Sequence, residues 1–141
     1  MILMIDDEKR TLDSYLQELA LSDFMVRYES SVDAGLKCLE ENVNEIELLI
    51  LDLMMPYGQA FNEDETEKGL RTGIVFYERV RKANAHLPVM ILTNNVDEGI
   101  RRVFEQEPHC RFFRKEDLLP FELADAVKDF LQTENQGRQT S

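Results

Sequence analysis

Glu47-Leu48-Leu49-Ile50-Leu51-Asp52-Leu53-Met54-Met55-Pro56 is a short apolar run interrupted by one carboxylate and stopped by a proline. A continuous apolar run of this length reads as a strand buried on both faces, as in the middle of a parallel sheet. Aspartate is a poor strand former, and an unpaired charge inside a core is costly. Asp52 is therefore expected where the strand ends, with its carboxylate in an open crevice. In open α/β sheets that carboxyl edge is where ligands bind.

Working outward, the flanking segments alternate in period. Met1 to Ile5 is a second apolar run, ending in Asp6-Asp7-Glu8. Leu12, Tyr15, Leu16 and Leu19 recur at helical spacing, predicting an amphipathic helix that ends near Leu21-Ser22. Phe24 to Tyr28 reads as a short strand. Ser31 is placed to cap a helix with Val32, Leu36 and Leu39 inward, ending near Asn42 or Asn44. The central strand spans Ile46 to Leu51. Residues 57–70 are polar and acidic without a period, and are expected to form a long loop.

Gly73 to Arg81 resumes a helical pattern, and Pro88 to Thr93 is an apolar strand ending in a hydroxyl. The next helix has Asp97 as its cap and Ile100, Val103 and Phe104 inward, and Pro108 closes it. Arg111 to Lys115 is expected as a fifth strand, and Leu118 to Leu131 as a last helix. Pro120 is tolerated in that helix's first turn. Residues 1–131 thus form one domain, and the polar tail 132–141 is expected to be disordered. The alternation implies an α/β fold: a five-stranded parallel sheet with helices on both faces and right-handed crossovers. The flavodoxin-like strand order 2-1-3-4-5 is the usual solution for five such units.

The totals narrow the function. Sixteen Lys and Arg against 28 Asp and Glu leave a net charge of −12, which argues against direct nucleic-acid or anionic-membrane binding. No apolar run approaches the roughly 18 residues that span a bilayer. The N-terminal run lacks a basic n-region and meets Asp6 at once, unlike a signal peptide. Cys38 and Cys110 have no CxxC spacing, so a cytoplasmic protein with reduced structural thiols is expected.

In a parallel sheet all strand C-termini share one edge. That edge collects Asp6 and Asp7 from strand one, Asp52 from strand three, Thr93 from strand four and Lys115 from strand five. Clustered carboxylates raise one another's pKa unless a cation sits among them. Oxygen donors without His or Cys select a hard divalent ion, and Mg²⁺ is the expected one. A lysine and a hydroxyl beside such an ion suit a phosphoryl group in transfer, with Asp52 as the nucleophile. Taken singly, Asp7 also reads as a helix N-cap, Thr93 as a turn residue and Lys115 as a solvated surface lysine. Their joint occurrence around Asp52 favours a site.

Four segments carry a family resemblance: Ile2-Leu3-Met4-Ile5-Asp6-Asp7-Glu8, Leu51-Asp52-Leu53-Met54-Met55-Pro56, Val89-Met90-Ile91-Leu92-Thr93 and Phe112-Phe113-Arg114-Lys115. Together they resemble a response-regulator receiver domain of two-component signalling, over about residues 1–131. The resemblance implies a phosphoprotein in which Asp52 is the phosphoacceptor for a sensor histidine kinase or a phosphotransfer protein. It implies that Asp7 ligates Mg²⁺ directly and Asp6 through water, with the Met54 backbone carbonyl as a further ligand. Thr93 and Lys115 would hold the phosphoryl group, and Thr93 and Phe112 would form the switch. Phe112 also reads as an ordinary core phenylalanine.

The chain departs from the family pattern at three places. Glu116 follows Lys115 where proline is usual, and Asn94 follows Thr93 where a small residue is usual. Gly73 lies 21 positions beyond Asp52, on the order of a dozen more than the family uses. The insert at 57–70 is expected to be a lid, a docking loop or a mobile acidic loop.

Only about ten polar residues follow the last helix, so a stand-alone receiver acting through an output protein is expected, not a multiple-turnover enzyme. Two alternatives remain. One is a pseudo-receiver that binds partners without phosphorylation. The other is a Mg²⁺-dependent phosphohydrolase, disfavoured because Met54 stands where such enzymes carry a second acid.

Overall fold

The computed structural model describes residues 1–69, 71–94 and 97–140. Leu70, at the end of the 57–70 insert, and Ser141, at the end of the 132–141 tail, lie outside the described residues. Strands and helices alternate: β1 Ile2–Ile5, α1 Lys9–Leu21, β2 Val26–Glu29, α2 Val32–Glu41, β3 Leu48–Leu51, α3 Thr72–Ala83, β4 Val89–Thr93, α4 Glu98–Gln106, β5 Cys110–Arg114 and α5 Pro120–Thr140. The sheet has five strands in the order β2-β1-β3-β4-β5. Every pairing is parallel. The fold class and strand order expected from the alternation are the ones observed.

Burial explains the strand composition. Every residue of β1, β3 and β4 is buried, whereas the edge strands β2 and β5 are mostly half-buried. One core layer joins Leu3, Ile5, Leu49, Leu51 and Ile91 to α2, α3 and α4 through Val32, Cys38, Phe76, Val80 and Phe104. The other joins Ile2, Met4, Leu48, Ile50 and Met90 to α1 and α5 through Leu12, Leu19, Leu123, Val127 and Phe130. Alternate residues of each central strand therefore serve opposite layers, so all of them must be apolar. Burial pushes the Cys110 thiol up to about 12 and raises Cys38 as well, so both stay protonated and unreactive at neutral pH.

Both expected N-caps form. The Ser31 hydroxyl accepts from the Ala34 amide at 3.2 Å, and Asp97 accepts from the Ile100 amide at 3.0 Å. Several boundaries move. β2 starts at Val26 because the Phe24 amide closes α1 on the Leu19 carbonyl. β3 starts at Leu48 because the Ile46 amide is spent on the Asn42 carbonyl. β5 ends at Arg114, and Lys115 opens a 3₁₀ turn through Asp117 instead of closing the strand. Val103 is exposed, on the outer side of α4, whereas Phe104 is buried as expected.

The largest departure is at the C-terminus. α5 continues to Thr140, where disorder was expected after Leu131. Gln and Glu are good helix formers, and no proline interrupts the segment. The added turns are also tethered: Arg111 donates to Thr133 at 3.3 Å, and Glu134 bonds His109 at 2.6 Å.

The insert is a built loop. Gly58 has φ +64° and lies against the Asp33 carboxylate, which accepts from the Gln59 and Ala60 amides at 2.9 and 2.8 Å. Phe61 is buried edge-on to Phe76 at 6.2 Å, with the Arg79 guanidinium 4.6 Å over its ring. Asn62 and Glu65 cap each other reciprocally, at 2.7 and 3.0 Å. Thr66 is fully buried and donates to the Asn62 carbonyl at 2.8 Å. Asp33→Ala is expected to cost about 1–2 kcal/mol. Hydrogen exchange should speed up selectively at Gln59 and Ala60; unchanged protection there would show that the Asp33 carboxylate does not hold the loop.

Candidate functional site

The chain brings Asp52 to the carboxyl edge as its reading requires. β3 ends at Leu51, and Asp52 follows at once, 5% exposed. Its Oδ1 accepts from the Leu53 amide at 2.8 Å and lies 3.5 Å from the Met54 amide. Asp6 leaves β1 in the neighbouring strand and is also buried, while Asp7 is exposed. Oxygens of Asp6, Asp7 and Asp52 lie within 4.8 Å of one another. Glu8, not Asp7, occupies the N-cap position of α1, and no side chain caps that helix. The capping role that Asp7 could have had is therefore not the one it plays.

Lys115 crosses from the start of the 3₁₀ turn to the same cluster. Its Nζ is 2.6 Å from Asp6, 3.7 Å from Glu8 and 3.8 Å from Asp52. Thr93, fully buried at the end of β4, hydrogen-bonds the Asp52 carboxylate. Four of the predicted residues thus surround Asp52 directly or through Lys115. Of the other two, Met54 lies on the loop after Asp52, with its amide 3.5 Å from Asp52 Oδ1 and its side chain 43% exposed. Phe112 is buried and stacked on Phe104 at 6.2 Å, within the layer shared with α3 and α4.

Three contacts lie outside the predicted set. The Tyr15 hydroxyl donates to the carbonyls of Lys115 at 3.0 Å and Leu118 at 2.6 Å, fixing the turn that presents the lysine. The Tyr28 hydroxyl donates to the Asp6 carbonyl. Glu8 adds a third carboxylate near the Lys115 ammonium. Tyr15 lies in an apolar helical stripe, which hides its hydroxyl, whereas Glu8 was signalled by its place beside Asp6-Asp7. Of the family departures, Asn94 and Glu116 both face outward, and Glu116 pairs with Arg114 at 3.3 Å.

The electrostatics are those of crowded acids. Burial, and then the Asp6 charge, push Asp52 up to about 6, against the lowering effect of Thr93 and Lys115. Burial and Asp6 also raise Asp7. Burial opposes the charge on Lys115, but the Asp6 hydrogen bond and the charges of Asp52, Asp6 and Glu8 outweigh it and raise its pKa. One ammonium thus faces four acids. The oxygen-only cluster of Asp6, Asp7 and Asp52 fits a hard divalent cation, which would relieve the repulsion that raises Asp52.

Solved structures share this architecture. A response regulator receiver domain protein of Clostridium thermocellum superposes with a TM-score of 0.76, at 26% identity, over 96% of each chain. The chain has the receiver-domain fold of response regulators. A CheY-like receiver domain protein of Methanospirillum hungatei JF-1 superposes on this receiver domain with a TM-score of 0.73, at 18% identity, over 96% of each chain. In sequence, the receiver domain is 26% identical over 103 residues to the response regulator SaeR of Staphylococcus epidermidis. That match covers 73% of the chain and 44% of SaeR, so it spans less than half of its curated relative. No family model matches the sequence. Among the described residues no helix is long and apolar enough to cross a membrane.

Proposed function

We propose that this receiver domain is a Mg²⁺-dependent phosphoacceptor of the cytoplasm. Its donor is a phosphohistidine on a sensor histidine kinase or a phosphotransfer protein, and its output is a changed protein-binding surface. The observation that carries this reading is the Asp52 carboxylate held in a receiver fold between Thr93 and Lys115, beside Asp6 and Asp7.

In the transfer, an Asp52 carboxylate oxygen forms a bond to phosphorus. The donor's P–N bond breaks, and its electron pair leaves with the imidazole. Asp6, Asp7 and Asp52, with the Met54 carbonyl, are the residues that would hold Mg²⁺. A bound divalent cation supplies neutralising charge for the carboxylates and phosphoryl oxygens. Lys115, already 3.8 Å from Asp52, pairs with the phosphoryl oxygens, and the Thr93 hydroxyl donates to one of them. Exchanging its Asp52 partner for a phosphoryl oxygen moves Thr93, and Phe112, two positions back along the neighbouring strand from its partner Arg114, reports that movement in its contact with Phe104. Such a switch is a population shift biased by new charge at one site. The chain is a one-for-one acceptor in this reading, not a multiple-turnover enzyme, since Met54 supplies no acid to protonate a leaving group.

Intact mass after incubation with Mg²⁺ and acetyl phosphate tests the proposal. One phosphoryl mass is expected in the wild type, and none in Asp52→Asn or without Mg²⁺. No gain in the wild type, together with no binding of a beryllofluoride mimic, would replace this reading with that of a phosphorylation-independent binding module.

A further inference from the structure

Both histidines of the chain meet at the edge of the sheet opposite Asp52. His86 lies in the loop that enters β4, and His109 immediately precedes β5. Their facing nitrogens, His86 Nδ1 and His109 Nε2, are 3.4 Å apart, with the rings at 77° to each other. The other nitrogen of His109, Nδ1, is 2.6 Å from Glu134 Oε2. A carboxylate only accepts, so Nδ1 carries the proton and Nε2 presents its lone pair toward His86.

Both loops are held from behind. The Arg81 guanidinium donates to the carbonyls of Leu87 at 2.6 Å, Asn84 at 3.3 Å, Pro108 at 3.3 Å and His109 at 2.8 Å, bridging the two loops with one side chain. The Asn84 side chain accepts from the His86 and Leu87 amides at 3.0 and 3.1 Å. His109 itself sits at φ +57°, a left-handed conformation uncommon for a residue other than glycine.

The geometry points to a second metal site here, for a divalent transition ion of the Zn²⁺ type, ligated by His86 Nδ1 and His109 Nε2. Two nitrogens bound at about 2.0–2.1 Å to a tetrahedral centre lie about 3.3–3.4 Å apart, which is the spacing found. Imidazole is a ligand for Zn²⁺ and its neighbours in the first transition row, not for Mg²⁺, so this site and the carboxylate cluster select different ions. Glu134 supplies the outer carboxylate that metal-bound histidines commonly carry on their second nitrogen, fixing tautomer and ring orientation. It comes from the turns of α5 beyond Leu131. The two remaining coordination positions are left to water or to an outside ligand, which is possible because His86 is exposed. The site joins the entry loops of β4 and β5 to the end of α5.

Titration of tag-free protein with zinc chloride, in saturating Mg²⁺ to occupy the carboxylates, tests the inference. Calorimetry is expected to show one Zn²⁺ bound per chain, and the carbon-bound ring protons of both histidines should shift together up to that equivalence point. His86→Gln and His109→Asn, the latter chosen because asparagine tolerates the left-handed backbone, should each weaken binding at least tenfold. Glu134→Gln should weaken it by about tenfold while leaving both histidines in place. Failure to bind Zn²⁺, or unchanged affinity in His86→Gln, would overturn the site and leave an imidazole–imidazole hydrogen bond tying two loops. Because Asp52 plays no part in the readout, the result stands apart from the phosphoacceptor reading.

Discussion

Gly73→Ala is expected to destabilise the domain by about 3 kcal/mol or more, at the upper end of what overpacking a core costs. A Cβ on Gly73 would lie 2.2 Å from the Asp52 carbonyl oxygen and 2.5 Å from Leu53 Cα. Both neighbours are backbone, so no side-chain rotation relieves the overlap. The Gly73 amide also donates to the Leu53 carbonyl at 2.9 Å, which holds the first turn of α3 against the end of β3. Moving α3 outward would loosen Ile74, Phe76, Tyr77 and Val80 together, since all four are buried on that helix. It would also shift the peptide that carries Asp52. Urea denaturation should show a lower midpoint, and the phosphoryl gain should fall with it. Gly137→Ala is the control: an added Cβ there meets nothing within 4 Å, so the substitution brings no overlap and gains helix propensity. That substitution should stabilise by about 0.5–1 kcal/mol. A Gly73→Ala variant as stable as the wild type would mean that α3 does not meet the strand end this closely.

Gly73 also shows how far the sequence could be read. Its place at the start of a helix was plain, and so was the excess of chain between it and Asp52. That the excess is pinned, by Asp33 reaching the Gln59 and Ala60 amides and by Phe61 entering the core, was not. Polar and acidic composition signals solvent exposure, and a single buried aromatic inside it has no period to betray it. Asp6, Asp7, Asp52, Thr93 and Lys115 were legible because each follows or ends an apolar run, and a parallel sheet sends all such ends to one edge. The helix beyond Leu131 was hidden for the opposite reason. Its polar residues carry no apolar stripe, and its partners His109 and Arg111 are remote in sequence. The histidine pair is hidden on the same grounds, because two isolated residues 23 positions apart signal nothing until the loops holding them are placed.

In the metal-free protein, Asp52→Asn is expected to raise stability at pH 8 by about 1–3 kcal/mol. The carboxyl titrates at about 6 in the folded chain against an ordinary value of 3.8, so the folded state holds the Asp52 proton more tightly than the unfolded state does. Stability from this group is therefore complete below about pH 4 and is lost as pH rises through 6. The full shift corresponds to about 3 kcal/mol, since each pKa unit is worth 1.36 kcal/mol. Asparagine keeps the shape and an oxygen for the Leu53 amide but cannot ionise, so the variant escapes the loss. The attraction of Lys115 is already contained in that shift, and the lower end of the range allows for the amide NH₂ that asparagine can set where an oxygen faced the ammonium. For a domain of this size the melting temperature should rise by several degrees at pH 8. The two proteins should converge near pH 4. Added Mg²⁺ should narrow the gap at pH 8, because a cation that binds the folded state stabilises the wild type in proportion to its occupancy. A variant less stable than the wild type at pH 8 would show that the lysine contact outweighs the repulsion among the acids. Asp52 would then be held as a structural ion pair, and its chemistry would need another source of activation.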